Sequence, residues 1–269
     1  MRGLSRSSFA EVEERFNAVA ATADLGRLAE DLSSVAVLLD AEHGLRRNLA
    51  DPARQAEQKA EVVRALLGGK ISDAALETVI AAVSVRWSRS PDLSDALERL
   101  SVIASAAEAE SAGRLDDVED ELFRFGRIVE ATPALRMALV DPAVPADAKR
   151  GLIADLLSDR VAPTSLRLIT QLALHPRGRS LERGLEEYGQ LVAEQRQQLV
   201  AVVRSAVPLT DGQRQRLTTW LRTTYGRDIH LNTEVDPRVL GGFSVRLGDE
   251  LIDTTIAGRI EEVRRRLAG

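Results

Sequence analysis

The stretch LRRNLADPARQAEQK, residues 45–59, returns ninety residues later as LRMALVDPAVPADAK, residues 135–149. From residue 45 to residue 90, 13 of 46 positions are identical to the position ninety residues further on, without a gap. Abundant leucine and alanine explain some of these matches, but not the ordered Asp-Pro-Ala string. Self-similarity at a fixed spacing indicates repeated structural units, so the sequence predicts two copies of one module.

Each copy has the apolar spacing of amphipathic helices. In the first copy, apolar residues recur every three or four positions over residues 9–23 and again over residues 25–39, which gives each segment one apolar stripe. Asp51-Pro52 and Asp141-Pro142 each place an N-cap residue before a proline suited to a first helical turn, so a helix is expected directly after each pair. The pattern predicts a compact bundle of about five or six short helices in each copy.

The residues after position 199 follow a different pattern. Four short runs rich in β-branched and apolar residues alternate with turn residues, as in a small sheet. These runs are residues 199–203, 229–235, 243–247 and 251–252. Thr210 and Gln213 have the spacing of a capping box, so a helix is expected to follow them and to end at Gly226. A final helix is expected over residues 255–267.

The predicted fold is therefore mainly α, with two tandem helical bundles followed by a small α/β C-terminal domain. The expected boundaries are 1–97 for the first bundle, 98–198 for the second and 199–269 for the α/β domain. The chain has 269 residues, of which 44% are apolar. That is enough to give each of these domains its own core.

Composition excludes several classes of protein. Cysteine is absent, which excludes disulfides, thiolate zinc sites and a cysteine nucleophile. The formal net charge is only −5 and aromatic residues make up 3% of the chain, so neither charge nor stacking favours a nucleic-acid partner. No run approaches the roughly 20 apolar residues of a membrane-spanning helix. We expect no nucleic-acid partner and no segment that crosses a bilayer.

The sequence contains no recognisable pattern of catalytic or metal-binding residues. His43, His175 and His230 lie one in each region, without the spacing of metal ligands. Adjacent acidic residues on a helix diverge by about 100° and cannot form a carboxylate dyad. The sequence therefore predicts no catalytic residue, no metal and no cofactor, and it describes an adaptor rather than an enzyme.

Two long C-terminal segments resemble one known family. VRSAVPLTDGQRQRL, residues 203–217, and EVDPRVLGGFSVRLGDELIDTTIAGRIEEVRRRL, residues 234–267, resemble the C-terminal half of the delta subunit of the F-type ATP synthase, the oligomycin sensitivity-conferring protein family. Upstream, residues 135–142 and 175–179 resemble segments of that family's helical bundle. The resemblance extends over residues 98–269, and the first bundle matches through the internal repeat. This long form is similar to the delta subunits of some high-GC bacteria.

The resemblance implies a mechanical function. Members of this family are non-catalytic subunits of the peripheral stalk, or stator, which links the catalytic head to the membrane-anchored b subunit and resists rotor torque. The implied partners are the N-terminal segments of alpha subunits and the C-terminal region of the b subunit. The implied location is the cytoplasmic side of the cell membrane, reached only through the complex. The alternative is a helical scaffold or regulatory adaptor, including one associated with RNA.

The resemblance also implies binding residues. In the family, an amphipathic helix of an alpha subunit lies between the first and fifth helices of the bundle. The corresponding residues here are Phe9, Val12, Phe16, Leu76, Val79, Ile80 and Val83 in the first copy, and Ile103, Ala106, Leu166, Ile169 and Ala173 in the second. The b subunit is expected on the last helix, at Ile256, Ile260, Val263 and Leu267. Two alternatives stay open: the stripes instead fill each bundle's own core, and the two bundles engage either two alpha subunits or one alpha subunit and the stalk.

Overall fold

The structure, a computed structural model, describes residues 3–197, 200–225, 229–236, 239, 242–247 and 250–253. The chain divides into two compact units, Met1–Val192 and Ala193–Gly269. The helices up to residue 197 are α1 (Leu4–Ala20), α2 (Leu25–Ala41), α3 (His43–Ala50), α4 (Ala56–Leu67), α5 (Asp73–Ser84), α6 (Pro91–Ser111), α7 (Leu115–Ala131), α8 (Pro133–Val140), α9 (Ala146–Leu157), α10 (Pro163–Leu174) and α11 (Leu181–Gln197). Among the described residues, no helix is long and apolar enough to cross a membrane.

Four helices of the second half repeat the bounds of four helices in the first half. Each of α7, α8, α9 and α10 begins and ends ninety residues after α2, α3, α4 and α5 respectively. This offset is the one at which the sequence matches itself, so the same stripes and turns specify the same helices twice. We call α1 to α6 the first helical set and α6 to α11 the second helical set.

The helix α6 belongs to both sets. It closes the first set, and by the ninety-residue offset it takes the place of α1 in the second. Leu93, Leu97 and Leu100 lie in the core formed with α1, α2 and α5. Val102 and Ala106 are also fully buried, on the side of the helix that points away from that core. Because the expected boundary at 97/98 falls inside this shared helix, the division into three domains stays a prediction.

A turn built on an Asp-Pro pair occurs once in each set. The Asp51 carboxylate accepts a hydrogen bond from the backbone N–H of Ala53 at 2.9 Å, and Asp141 accepts one from Ala143 at 2.8 Å. The helices α4 and α9 begin only at residues 56 and 146, so the expectation of a helix directly after each pair was wrong. Since each carboxylate closes its own turn, it does not cap the helix that follows.

The described residues from position 200 onward form a small sheet and one helix. They contain β1 (Val200–Ser205), α12 (Asp211–Tyr225), β2 (His230–Val235), β3 (Phe243–Leu247) and β4 (Glu250–Asp253). The strand order is β2-β1-β3-β4, with β1 and β2 parallel and the other neighbours antiparallel. The core contains Ala201, Val203, Leu217, Leu221, Ile229 and Val245. These elements confirm the expected fold class, mainly α with an α/β end.

The expected capping box starts α12. The backbone N–H of Thr210 donates to Gln213 Oε1 at 2.9 Å, and the N–H of Gln213 donates to Thr210 Oγ1 at 3.3 Å. These reciprocal bonds satisfy two backbone donors and confirm the prediction. The final helix expected over residues 255–267 lies outside the described residues.

Candidate functional site

The twelve residues expected to line the two helix grooves fall into two groups. Eight are buried in the helical unit: Phe9, Val12, Phe16, Val79, Val83, Ala106, Ile169 and Ala173. Four are only half-buried: Leu76, Ile80, Ile103 and Leu166. The eight buried residues therefore fill the protein's own core. Contact with a partner remains a proposal, and the four half-buried residues are the better candidates for it.

The residues expected to receive the b subunit belong to the last segment of the chain. Ile256, Ile260, Val263 and Leu267 all lie outside the described residues. Within the described part of the second unit, three large apolar side chains are exposed: Val207, Trp220 and Val235. Trp220, on α12, is therefore a surface residue. Trp87, in the first unit, is buried.

A partly buried network of ion pairs joins the two helical sets, with Arg177 at its centre. This residue lies in the loop after α10 at a φ of 53°, a left-handed conformation that costs free energy for a non-glycine residue. Its guanidinium pairs with Asp40 of α2, and it donates to Ser94 Oγ at 2.9 Å, Asp95 at 2.8 Å and Glu98 at 2.7 Å on α6. All three guanidinium nitrogens donate, which is the condition under which a buried charge is stable.

Glu98 connects this arginine to α11. Arg179 pairs with Glu98 and, at 2.8 Å, with Glu187 of α11, and its guanidinium carbon lies 5.6 Å from the centroid of the Tyr188 ring. The Tyr188 hydroxyl donates to Glu98 at 2.7 Å and accepts from Gln171 at 3.1 Å. A buried carboxylate is costly unless it is paired. Glu98 therefore depends on donors from the second set.

The network shifts the titration of its members. Burial alone would raise the pKa of the Asp40 carboxyl, but hydrogen bonds from Ser94 and Arg177, together with the Arg177 charge, outweigh it and hold that pKa below its usual range. Burial raises the pKa of Asp95; the Arg177 charge opposes this effect, and the charges of the nearby acids reinforce it, so the pKa stays above its usual value. Burial and the Glu98 charge raise the pKa of Tyr188 well above its usual value, so its hydroxyl remains a donor.

A second ion-pair cluster lies at the other end of α2. Arg167 of α10 pairs with Glu108 of α6, and its Nη1 is 3.9 Å from Oε1 of Glu30 on α2. Thr164 Oγ1 donates to Glu108 at 3.3 Å. A Cβ atom at Gly26 would lie 2.6 Å from the Glu108 carboxylate, so α2 comes very close to α6 there. The helix α2 is thus held to the second helical set at both ends.

Neither cluster was predicted from the sequence. The sequence repeat does contain an indication of the Arg177 cluster, because the ninety-residue offset places Arg177 at the position that Trp87 has in the first helical set. Trp87 is buried and donates from its indole to the Ala82 carbonyl at 2.8 Å. A guanidinium in that place requires acids around it. The acids it finds, Asp40 and Glu98, lie 137 and 79 residues away, beyond the reach of any local pattern.

The fold and these contacts define a tandem helical protein with an α/β end unit. The profile described as ATP synthase delta (OSCP) subunit matches residues 101–267. A protein named ATP synthase subunit delta from Thermobifida fusca is 51% identical over 269 residues, which cover 100% of both chains. The chain belongs to the ATP synthase delta (OSCP) family, as the sequence resemblance predicted.

Two further relatives and one solved structure extend the comparison. The proteins named ATP synthase subunit delta from Streptomyces avermitilis and Kineococcus radiotolerans are 51% and 48% identical, and both alignments cover 99% of this chain and 98% of the relative. The first helical set is therefore shared with these relatives. A chain of the Toxoplasma gondii mitochondrial ATP synthase hexamer is 18% identical with a TM-score of 0.32, over 62% of this chain and 97% of that one.

Proposed function

We propose that this chain is a stator subunit of an F-type proton-translocating ATP synthase, in the peripheral stalk that links the catalytic head to the membrane-anchored b subunit. The observation that carries the proposal is full-length identity of 51% to proteins named ATP synthase subunit delta. The role is structural rather than catalytic: the subunit keeps the head from turning with the rotor. It lies at the cytoplasmic face of the cell membrane, through the complex.

In this proposal, the chain attaches to two partners. The groove between α1 and α5 receives an amphipathic helix from the N-terminal segment of an alpha subunit, with half-buried Leu76 and Ile80 offering apolar surface. The second unit receives the C-terminal region of the b subunit, at the proposed residues Ile256, Ile260, Val263 and Leu267. Two modest interfaces on one chain raise each other's effective concentration, so neither has to be very tight.

The packing of the first unit supports a role in transmitting torque. The single helix α6 contributes to the cores of both helical sets, and ion pairs link α2 to the α10–α11 region. A linkage through a shared helix and packed side chains resists bending better than a flexible linker does. Torque transmission requires this kind of stiffness.

The experiment that tests the proposal is isolation of the tagged full-length chain from detergent-solubilised membranes of its own organism, followed by mass identification. Co-isolation of the ATP synthase alpha and b subunits is the expected result. A strain lacking the chain should keep ATP hydrolysis in the detached head but lose ATP-driven proton pumping. Recovery of RNA or unrelated soluble proteins without synthase subunits would instead favour the helical scaffold or regulatory adaptor.

A further inference from the structure

The helix α2 of the first set lies along one face of α6. At one end Gly26 adjoins Glu108, and at the other Ser94 Oγ donates to Asp40 at 2.7 Å, so the two helices run antiparallel for about four turns. Ser101, on the same stripe of α6 as Ser94, is 1% exposed. Small side chains along this stripe let the two helices approach closely.

The helix α10 lies beside α2 on the same face of α6. Arg167, in the first half of α10, pairs with Glu108 of α6 and approaches Glu30 of α2. Arg177, just after α10, pairs with Asp40 of α2 and with α6. Each arginine therefore contacts both α2 and α6. This places α2 over the outer groove between α6 and α10, the first and fifth helices of the second set.

The equivalent face of the first set is exposed. The offset of ninety residues replaces Ser94 by Leu4, which is 53% exposed, while Ser94 itself is fully buried. In place of Ser101 and Ser105, α1 has Glu11 and Arg15, which form a 3.2 Å surface ion pair. The first set therefore lacks the small polar stripe on which α2 rests. This face of α1 therefore does not offer α2 of another copy the small side chains that it packs against on α6.

We infer that α2 already fills the groove between α6 and α10, so that each chain binds one alpha-subunit helix, in the groove between α1 and α5, and not two. The identity of that helix rests on the proposed function, whereas the filled groove rests on the contacts of this chain alone. A second helix would have to displace α2 and break the ion pairs of Arg167 and Arg177.

Chemical cross-linking tests the filled groove without any partner. The chain has no cysteine, so the double variant Glu30→Cys/Arg167→Cys offers a short bismaleimide only the introduced pair. We expect most of the full-length chain to become linked within the molecule, with each single variant as the control. A low yield of intramolecular link in the folded double variant would overturn the inference, whatever the alpha subunit does.

Calorimetric titration tests the number of binding sites. The probe is a peptide with the sequence of the N-terminal segment of the alpha subunit from the same organism, and the expected stoichiometry is one peptide per full-length chain. Leu76→Glu should weaken binding at least tenfold. Leu166→Glu, ninety residues later on α10 and equally half-buried, should leave it unchanged. Leu4→Glu, at an exposed site that tolerates a charge, should also weaken binding. It keeps the test valid if Leu76→Glu does not fold.

The outcomes separate the inference from the proposed function. Two peptides per chain, weaker binding in Leu166→Glu, or loss of binding after the Glu30–Arg167 positions are cross-linked would each overturn the inference. Unchanged one-to-one binding after cross-linking supports it. If the peptide does not bind at all, the alpha-subunit contact in the proposed function fails, while the cross-linking yield still decides whether α2 fills the groove.

Discussion

Arg177 shows how one side chain fixes a contact between segments that are far apart in the chain. Its φ of 53° is the only positive value at a non-glycine residue among the described residues, and the loop holds this conformation while the guanidinium bonds to α2 and α6. Strain of this kind persists only where the surrounding contacts repay it. The side chain therefore acts as the link between the helical sets rather than as a surface charge.

Arg177→Ala should lower the free energy of unfolding of the first unit by about 1.5–3 kcal/mol, because it removes charge-assisted hydrogen bonds from Asp40 and Glu98, which keep Arg46 and Arg179 respectively as partners. Urea unfolding followed by Trp87 fluorescence, in a Trp220→Phe background, measures this unit selectively since the chain has two tryptophans. Arg15→Ala, which breaks an exposed pair with Glu11, is the control and should change stability by less than about 1 kcal/mol. If Arg177→Ala and Arg15→Ala changed the free energy of unfolding equally, Arg177 would not be the link between the helical sets.

Asp40 should make the stability of the first unit depend on acid pH. Its pKa is lowered from the ordinary 3.8 in the folded protein, so its contribution is fully present above the unfolded-state value and is lost as the pH falls through the lower folded-state value. Asp95, whose pKa is raised, acts in the opposite direction and offsets part of this.

The corresponding measurement compares the wild type with Asp40→Asn by urea unfolding between pH 3 and pH 7. The wild type should be more stable than the variant above about pH 5, and the difference should shrink as the pH falls below about 4. Glu130→Gln, the exposed carboxylate ninety residues later, is the matched control. A difference that stays constant with pH would show that Asp40 does not depend on its charge.

At the scale of the elements, the packing of α10 against α11 depends on a glycine. A Cβ atom at Gly184 would overlap the side chain of Leu172, which is fully buried. Gly189, five residues further along the same helix, has no atom within 4 Å of the equivalent position. The two glycines of α11 therefore differ in their function: one allows a close helix contact and the other does not.

Gly184→Ala should destabilise the first unit, because overpacking costs about 1–3 kcal/mol and outweighs the gain of roughly 0.5–1 kcal/mol from a better helix former. Gly189→Ala should stabilise it by that smaller amount, since nothing opposes the gain in helix propensity. Thermal unfolding of both variants by circular dichroism decides the signs. If both substitutions stabilise the protein, Gly184 is not in close contact with Leu172.

At the scale of the whole molecule, α6 makes the two helical sets interdependent. The same helix supplies Leu93, Leu97 and Leu100 to the first core and presents Val102 and Ala106 on its other side. The repeat is therefore not a string of two separate domains joined by a loop. The helix α6 is one of the packed helices of each set.

No single cut should produce two folded halves of the first unit. Fragments 1–97 and 98–192 divide α6 and should both be unfolded, whereas fragment 1–112 keeps the whole helix and should retain cooperative unfolding. Fragment 113–192 lacks α6 and should be unfolded unless 1–112 is added. Circular dichroism and heteronuclear NMR of the separate fragments provide the measurement. Independent folding of 1–97 and 98–192 would restore the expected three-domain division.

Several features of the fold were predictable because the forces that set them act locally. Apolar stripes and caps act within one or two turns, so helices were expected close to where α2, α5 and α12 lie, and the capping box at Thr210 was predicted correctly. The Asp-Pro turns were misread as helix starts because a carboxylate at residue 51 suits both a cap and a turn. The identity of the family was also carried by contiguous segments of sequence.

The sequence by itself determined the ninety-residue repeat, the helix pattern of each set, the α/β end unit and the family. Only the tertiary structure decided that most of the expected groove residues are core residues, and that α2 rests between α6 and α10. The reason is physical. These features depend on contacts such as Arg177 with Asp40, across 137 residues, and on burial from two sides at once, neither of which has a periodic signal along the chain.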